Sequence, residues 1–104
     1  MTRAEFKAEL VEYGYKDYGD DCLYRYISDM SNCIFNEKPP VVQIKLWDVK
    51  LVNKYVDNVS INVRGQNKDG YWIIIDFYSV TFNEALNNLK DIEQKLTAAW
   101  NSIN

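Results

Sequence analysis

Histidine is absent from the chain. With it go the commonest general base and the commonest zinc ligand. Cysteine is sparse: Cys22 and Cys33 are the only two, too few for a disulfide framework and expected as plain buried thiols. Either one as a nucleophile would lack a histidine base. The four glycines form no phosphate-cradling loop, and no nucleophile elbow occurs. Adjacent carboxylates such as Asp20 and Asp21 do not by themselves make the split environments that acid–base catalysis needs. The same acidic loop lacks EF-hand spacing. No enzyme, cofactor or metal is expected. No apolar run nears the ~20 residues of a membrane span, and no basic-then-apolar leader opens the chain. The expectation is a cytoplasmic protein with no membrane contact.

A basic excess is missing too. The net charge is −3, unevenly spread. Residues 1–37 carry four Lys/Arg against eight Asp/Glu, or −4. Residues 38–81 carry six against four, or +2, and the remainder two against three, or −1. Such a balance argues against nucleic acid as the main partner.

What is present makes one globular domain over residues 1–104, at 47% hydrophobic and 26% charged. Thr2 with Glu5 forms a capping box, Phe6, Leu10 and Tyr13 follow at helical spacing, and Gly14 stops the helix. Residues 22–35 read two ways. Leu23, Tyr26, Ile27, Met30, Cys33 and Ile34 fit a helix stripe, but the segment is rich in poor helix formers. The preferred reading is a strand, Leu23-Tyr24-Arg25-Tyr26-Ile27, then a turn at Ser28-Asp29. Pro39-Pro40 ends what precedes it. Val42 to Asp48 alternates as a strand, with Val42, Ile44 and Leu46 on one side and Gln43, Lys45 and Trp47 on the other. Val49 to Asn58 is a connector expected to pack on the core edge. Thr81 with Glu84 opens the last helix, whose stripe is Phe82, Leu86, Leu89, Ile92, Leu96, Ala99 and Ile103.

Between these lies a hairpin. Val59 to Arg64 alternates strictly, and Tyr71 to Tyr78 follows a Lys68-Asp69-Gly70 loop. A three-residue loop with Gly70 left-handed sets Val63 opposite Ile75 and Ile61 opposite Phe77. One face is then Val59, Ile61, Val63, Ile73, Ile75 and Phe77, for the last helix to cover. The other holds Ser60, Asn62, Arg64, Trp72, Ile74, Asp76 and Tyr78.

With Gln43, Lys45 and Trp47 of the preceding strand, that second face mixes indoles, a phenol and a guanidinium, the side chains that dominate binding hot spots. Lys45, Trp47, Asn62, Arg64, Trp72, Asp76 and Tyr78 are the candidate partner-binding residues. The competing expectation is that the first helix simply covers them. A secondary candidate is the loop with Tyr15, Asp17, Tyr18, Asp20 and Asp21, whose alternating tyrosine and acid would suit a basic protein surface. The plainer reading makes it a solvated turn.

Leu23-Tyr24-Arg25-Tyr26-Ile27, Gln43-Ile44-Lys45-Leu46-Trp47-Asp48, the Val59–Tyr78 hairpin and a closing helix reaching Trp100 together resemble small accessory proteins of bacteriophages and mobile elements. The resemblance implies a class of non-catalytic proteins that bind and modulate a host or viral partner, in the host cytoplasm for a phage-encoded chain. The fold expected is α+β and two-layered, a four-stranded antiparallel meander flanked by N- and C-terminal helices. Three strands with two N-terminal helices is the alternative. The expected function is protein binding, as an inhibitor or adaptor. The alternatives are a small-ligand or single-stranded nucleic-acid binder using the aromatic sheet face, and a homodimer joined through it.

Overall fold

The computed structural model describes residues 1–27, 40–46, 58–66 and 69–103, with the backbone alone for Asn58, Asp76 and Phe77. Trp47, Cys33, the turn at Ser28-Asp29 and nearly all of the 49–58 connector lie outside the described residues.

The chain runs α1 (Arg3–Tyr13), β1 (Lys16–Asp17), β2 (Cys22–Tyr26), β3 (Val41–Leu46), β4 (Asn58–Gln66), β5 (Trp72–Thr81) and α2 (Phe82–Ile103). The fold is α+β: an antiparallel meander in the order β1-β2-β3-β4-β5, with one helix before it and one after. Five strands are described, not four. The extra one is the two-residue β1, too short for any period to betray it. Residues 22–26 are strand, which overturns the alternative with two N-terminal helices.

Both helix starts follow from their caps. Thr2 Oγ1 accepts from the Glu5 N–H at 3.1 Å while the Glu5 carboxylate accepts from the Thr2 N–H. Thr81 Oγ1 accepts from the Glu84 N–H at 3.2 Å. These bonds satisfy amides that a helix leaves without partners. Gly14, at φ 128°, ends α1 and donates to the Leu10 and Val11 carbonyls, a conformation that L side chains rarely adopt.

Both helices lie on one face of the sheet. Phe6 of α1 stacks on Phe82 of α2, with ring centroids 4.3 Å apart. Both rings, with Leu10, Leu89 and Leu96, share a single core with Val42, Ile44, Leu46, Val59, Ile61 and Val63. The sheet residues are those that the strand alternation assigns to the helix side. The buried stripe of α2 is Phe82, Ala85, Leu89, Ile92, Glu93, Leu96 and Trp100. Leu86 packs at its margin and Ile103 is exposed, so the stripe drifts from the expected one towards Trp100.

The hairpin register is correct near the loop and corrected beyond it. Val63 pairs with Ile75 and Gln66 with Trp72, and Gly70 has φ 88°. Asn62 then pairs with Phe77 and Ile61 with Tyr78, so Asp76 is the extra residue of a β-bulge. The bulge sets Val80 opposite Val59 where an unbroken ladder would have set Ser79. Burial of an apolar pair beneath α2 thus accounts for the irregularity. Tyr78 moves with it: half-buried, it packs against the core on the helix side and leaves the face first assigned to it.

Candidate functional site

With both helices on one side, no described helix covers the other face of the sheet. Residues paired in register point the same way. Tyr26, Val41, Arg64 and Ile74 therefore form one row across β2, β3, β4 and β5. Trp72, paired with Gln66, stands beside that row. Its indole lies under the Arg64 guanidinium, 5.8 Å from centroid to Cζ. Trp72, Ile74 and Tyr26 are each about 60% exposed, which is unusual for side chains this large and apolar.

The next row is different. Tyr24 pairs with Gln43 and Gln43 with Asn62. Gln43 Nε2 donates to the Tyr24 hydroxyl at 3.4 Å. Gln43, Ser60 and Asn62 are buried, and Asn62 Oδ1 accepts no hydrogen bond from any described residue. Asn62 is therefore not a surface contact as expected; it lies 5% exposed at the middle of the sheet. Lys45 is exposed but sits four residues along β3 from Val41, roughly 13 Å from the Arg64 row. Of the residues proposed from sequence, the structure brings Arg64 and Trp72 together. It sends Tyr78 to the other layer and leaves Lys45 apart. Asp76 occupies the bulge, with its side chain undescribed.

The acidic loop is largely internal structure. Tyr15 is buried, and its hydroxyl donates to Glu93 Oε2 at 2.6 Å. Asp21 accepts from Lys7 at 2.6 Å and Arg3 at 2.8 Å, bonds that hold its carboxyl below the usual range, Lys7 first. Asp17 accepts from the Gly19 N–H, closing the turn in which Asp20 and Asp21 both take positive φ. Asp20 is exposed. Tyr18 is exposed and meets Tyr24 edge-to-face at 5.2 Å, which adds it to the open sheet face.

Comparison with protein-family models, with curated proteins and with solved structures finds no match. No described helix is long and apolar enough to cross a membrane.

Sequence reasoning passed over a second cluster, centred on Glu93. This carboxylate, 5% exposed, accepts from Arg25 and from Tyr13, at 3.2 Å, on Oε1, and from Tyr15 on Oε2. Burial and then the Glu93 charge push both phenols up, Tyr15 far above the ordinary range. The Glu93 hydrogen bond raises Arg25 further. One buried acid thus ties α1, β2 and α2 together. The signal available was Glu93 sitting next to Ile92 within the apolar stripe, a place where a carboxylate needs partners.

Proposed function

We propose that this chain is a non-catalytic protein-binding module whose partner sits on the exposed end of the sheet face opposite the helices. The observation that supports it is the exposed row Tyr26, Val41, Arg64 and Ile74 with Trp72 beside it. Aromatic and arginine side chains at the middle of such a patch carry most of the energy of a protein interface. Gln43 and Asn62, buried in the next row of the same face, border the patch on one side. Action as an inhibitor or adaptor on a host or viral protein is the form that the likeness to phage accessory proteins implies. A single strand of nucleic acid is the alternative occupant that the Arg64–Trp72 stack would suit. The net charge of −3 counts against it.

The test is quantitative capture with the wild-type chain and with Trp72→Ala/Ile74→Ser, whose substituted side chains are both exposed. Proteins recovered by the first and depleted at least tenfold by the second support the reading. Equal recovery by both, with single-stranded DNA retained by the wild type alone, would replace it with the alternative.

A further inference from the structure

A concave feature on the helix layer, sharing Tyr26 with the open face, has a chemistry of its own. It encloses about 460 Å³ between α2 and the end of β2, within the range of small-molecule sites. Lys90, Glu93, Gln94 and Thr97 reach it from α2 at i, i+3, i+4, i+7, one side of a helix. Arg25 reaches it from β2, Ile27 from just past the end of that strand, and Tyr13 from the end of α1.

Its polar groups divide into those already engaged and those still open. Both Glu93 oxygens are taken, by Arg25, Tyr13 and Tyr15. The Thr97 hydroxyl donates to the Glu93 carbonyl at 2.8 Å. Lys90 and Gln94 make no hydrogen bond or ion pair among the described residues. Two cations thus face one carboxylate, and Arg25 already neutralises that carboxylate. A cationic ligand would meet Lys90 and Arg25 with no open carboxylate to offset them, only the neutral Gln94 amide oxygen. An anion would gain the Lys90 ammonium and the Gln94 amide. Ile27 and the Tyr13 ring supply an apolar wall for whatever carries the charge.

We infer that this cavity binds a small organic anion: a carboxylate or phosphate head held by Lys90 and Gln94, on a flat apolar body against Tyr13 and Ile27.

The experiment is a titration of the full chain, followed by amide nitrogen–proton correlation spectra, with benzoate, phenyl phosphate, benzyl alcohol and benzylamine. At least one of the two anions is expected to saturate at about 10 mM or below, as suits ligands of this size. The shifts should centre on residues 90–97 and 25–27. Benzyl alcohol should bind several-fold more weakly and benzylamine not at all, and the ranking of benzoate against phenyl phosphate identifies the head. Lys90 is exposed, so Lys90→Gln should keep the native spectrum while weakening the anion about five- to tenfold. Absence of saturation by both anions, equal binding of all four probes, shifts centred on Trp72 and Ile74, or indifference to Lys90→Gln would each overturn the inference.

Discussion

The indole of Trp100 lies against the backbone of Gly65: a Cβ on that glycine would stand 2.8 Å from Cη2 of the ring and 3.1 Å from Cβ of Pro40. Trp100 is wholly buried, and it reaches the sheet because β4 carries no side chain at that point. Neither the ring nor the proline can yield as a flexible chain end would. Gly65→Ala should therefore cost about 1–3 kcal/mol, seen as a lower urea midpoint at unchanged slope. Trp100→Phe should relieve part of that cost, making the pair of changes less than additive. An unchanged midpoint for Gly65→Ala would place the helix elsewhere.

The Arg25–Glu93 pair should behave as a buried charge pair with one end near water. Glu93→Leu alone leaves Arg25 and two phenols without their acceptor, at an expected cost of about 2–4 kcal/mol. Arg25→Met combined with Glu93→Leu should recover a good share of it. A double variant no better than the single one would mean that Tyr13 and Tyr15, rather than Arg25, are what Glu93 serves.

Stability should fall at both ends of the pH scale, for different residues. Tyr15 has a raised folded pKa, so its contribution is complete below about 10, the value of an unfolded phenol. It is lost as the pH climbs from there towards the folded pKa. Tyr15→Phe should be less stable at neutral pH and flatter above 10. Asp21 has a lowered folded pKa, so its contribution is complete above about 4 and is lost as pH falls through the folded value. Its side chain is 38% exposed, so Asp21→Asn should cost no more than about 1 kcal/mol. Chemical melts at closely spaced pH values check both slopes.

The buried stripe of α2 makes neighbouring residues unequal. Leu89 is 2% exposed while Leu86 is half-buried at the margin. Leu89→Asp should abolish the cooperative melt, since a carboxylate there costs more than about 4 kcal/mol. Leu86→Asp should leave a folded, weakened domain. A folded Leu89→Asp variant would contradict the packing of α2 on the sheet.

These particulars show what the sequence could reveal. The capping box at Thr2, the Thr81 cap on Glu84, and the alternation of Val42, Ile44 and Leu46 and of Val59, Ile61 and Val63, gave helices, strands and core directly. Each depends on a local pattern with one physical meaning. The bulge at Asp76 was illegible because Phe77 and Tyr78 are equally able to face the core. The choice between them was made by Val80 and Ser79 against α2, which lies further along the chain. The role of Glu93 was illegible, since its partners lie 68 to 80 residues away. Tyr15 read as a loop residue for the same reason. Of the candidate site, Arg64 and Trp72 were found because a diagonal pair follows from register near the loop. Asn62 was misjudged because alternation assigns a face but says nothing of depth.

The proposed seat of a protein partner is the exposed end of the sheet face opposite the helices. The most direct measurement is the affinity of the captured partner for two variants, by calorimetry. One is Trp72→Ala/Ile74→Ser on the open face. The other is Val11→Ser/Asp20→Ala, exposed on α1 and in the β1–β2 turn. A loss of about a hundredfold or more is expected for the first, the effect of removing two interface anchors. No change beyond about twofold is expected for the second. Full affinity in the first variant, with loss in the second, would contradict that seat.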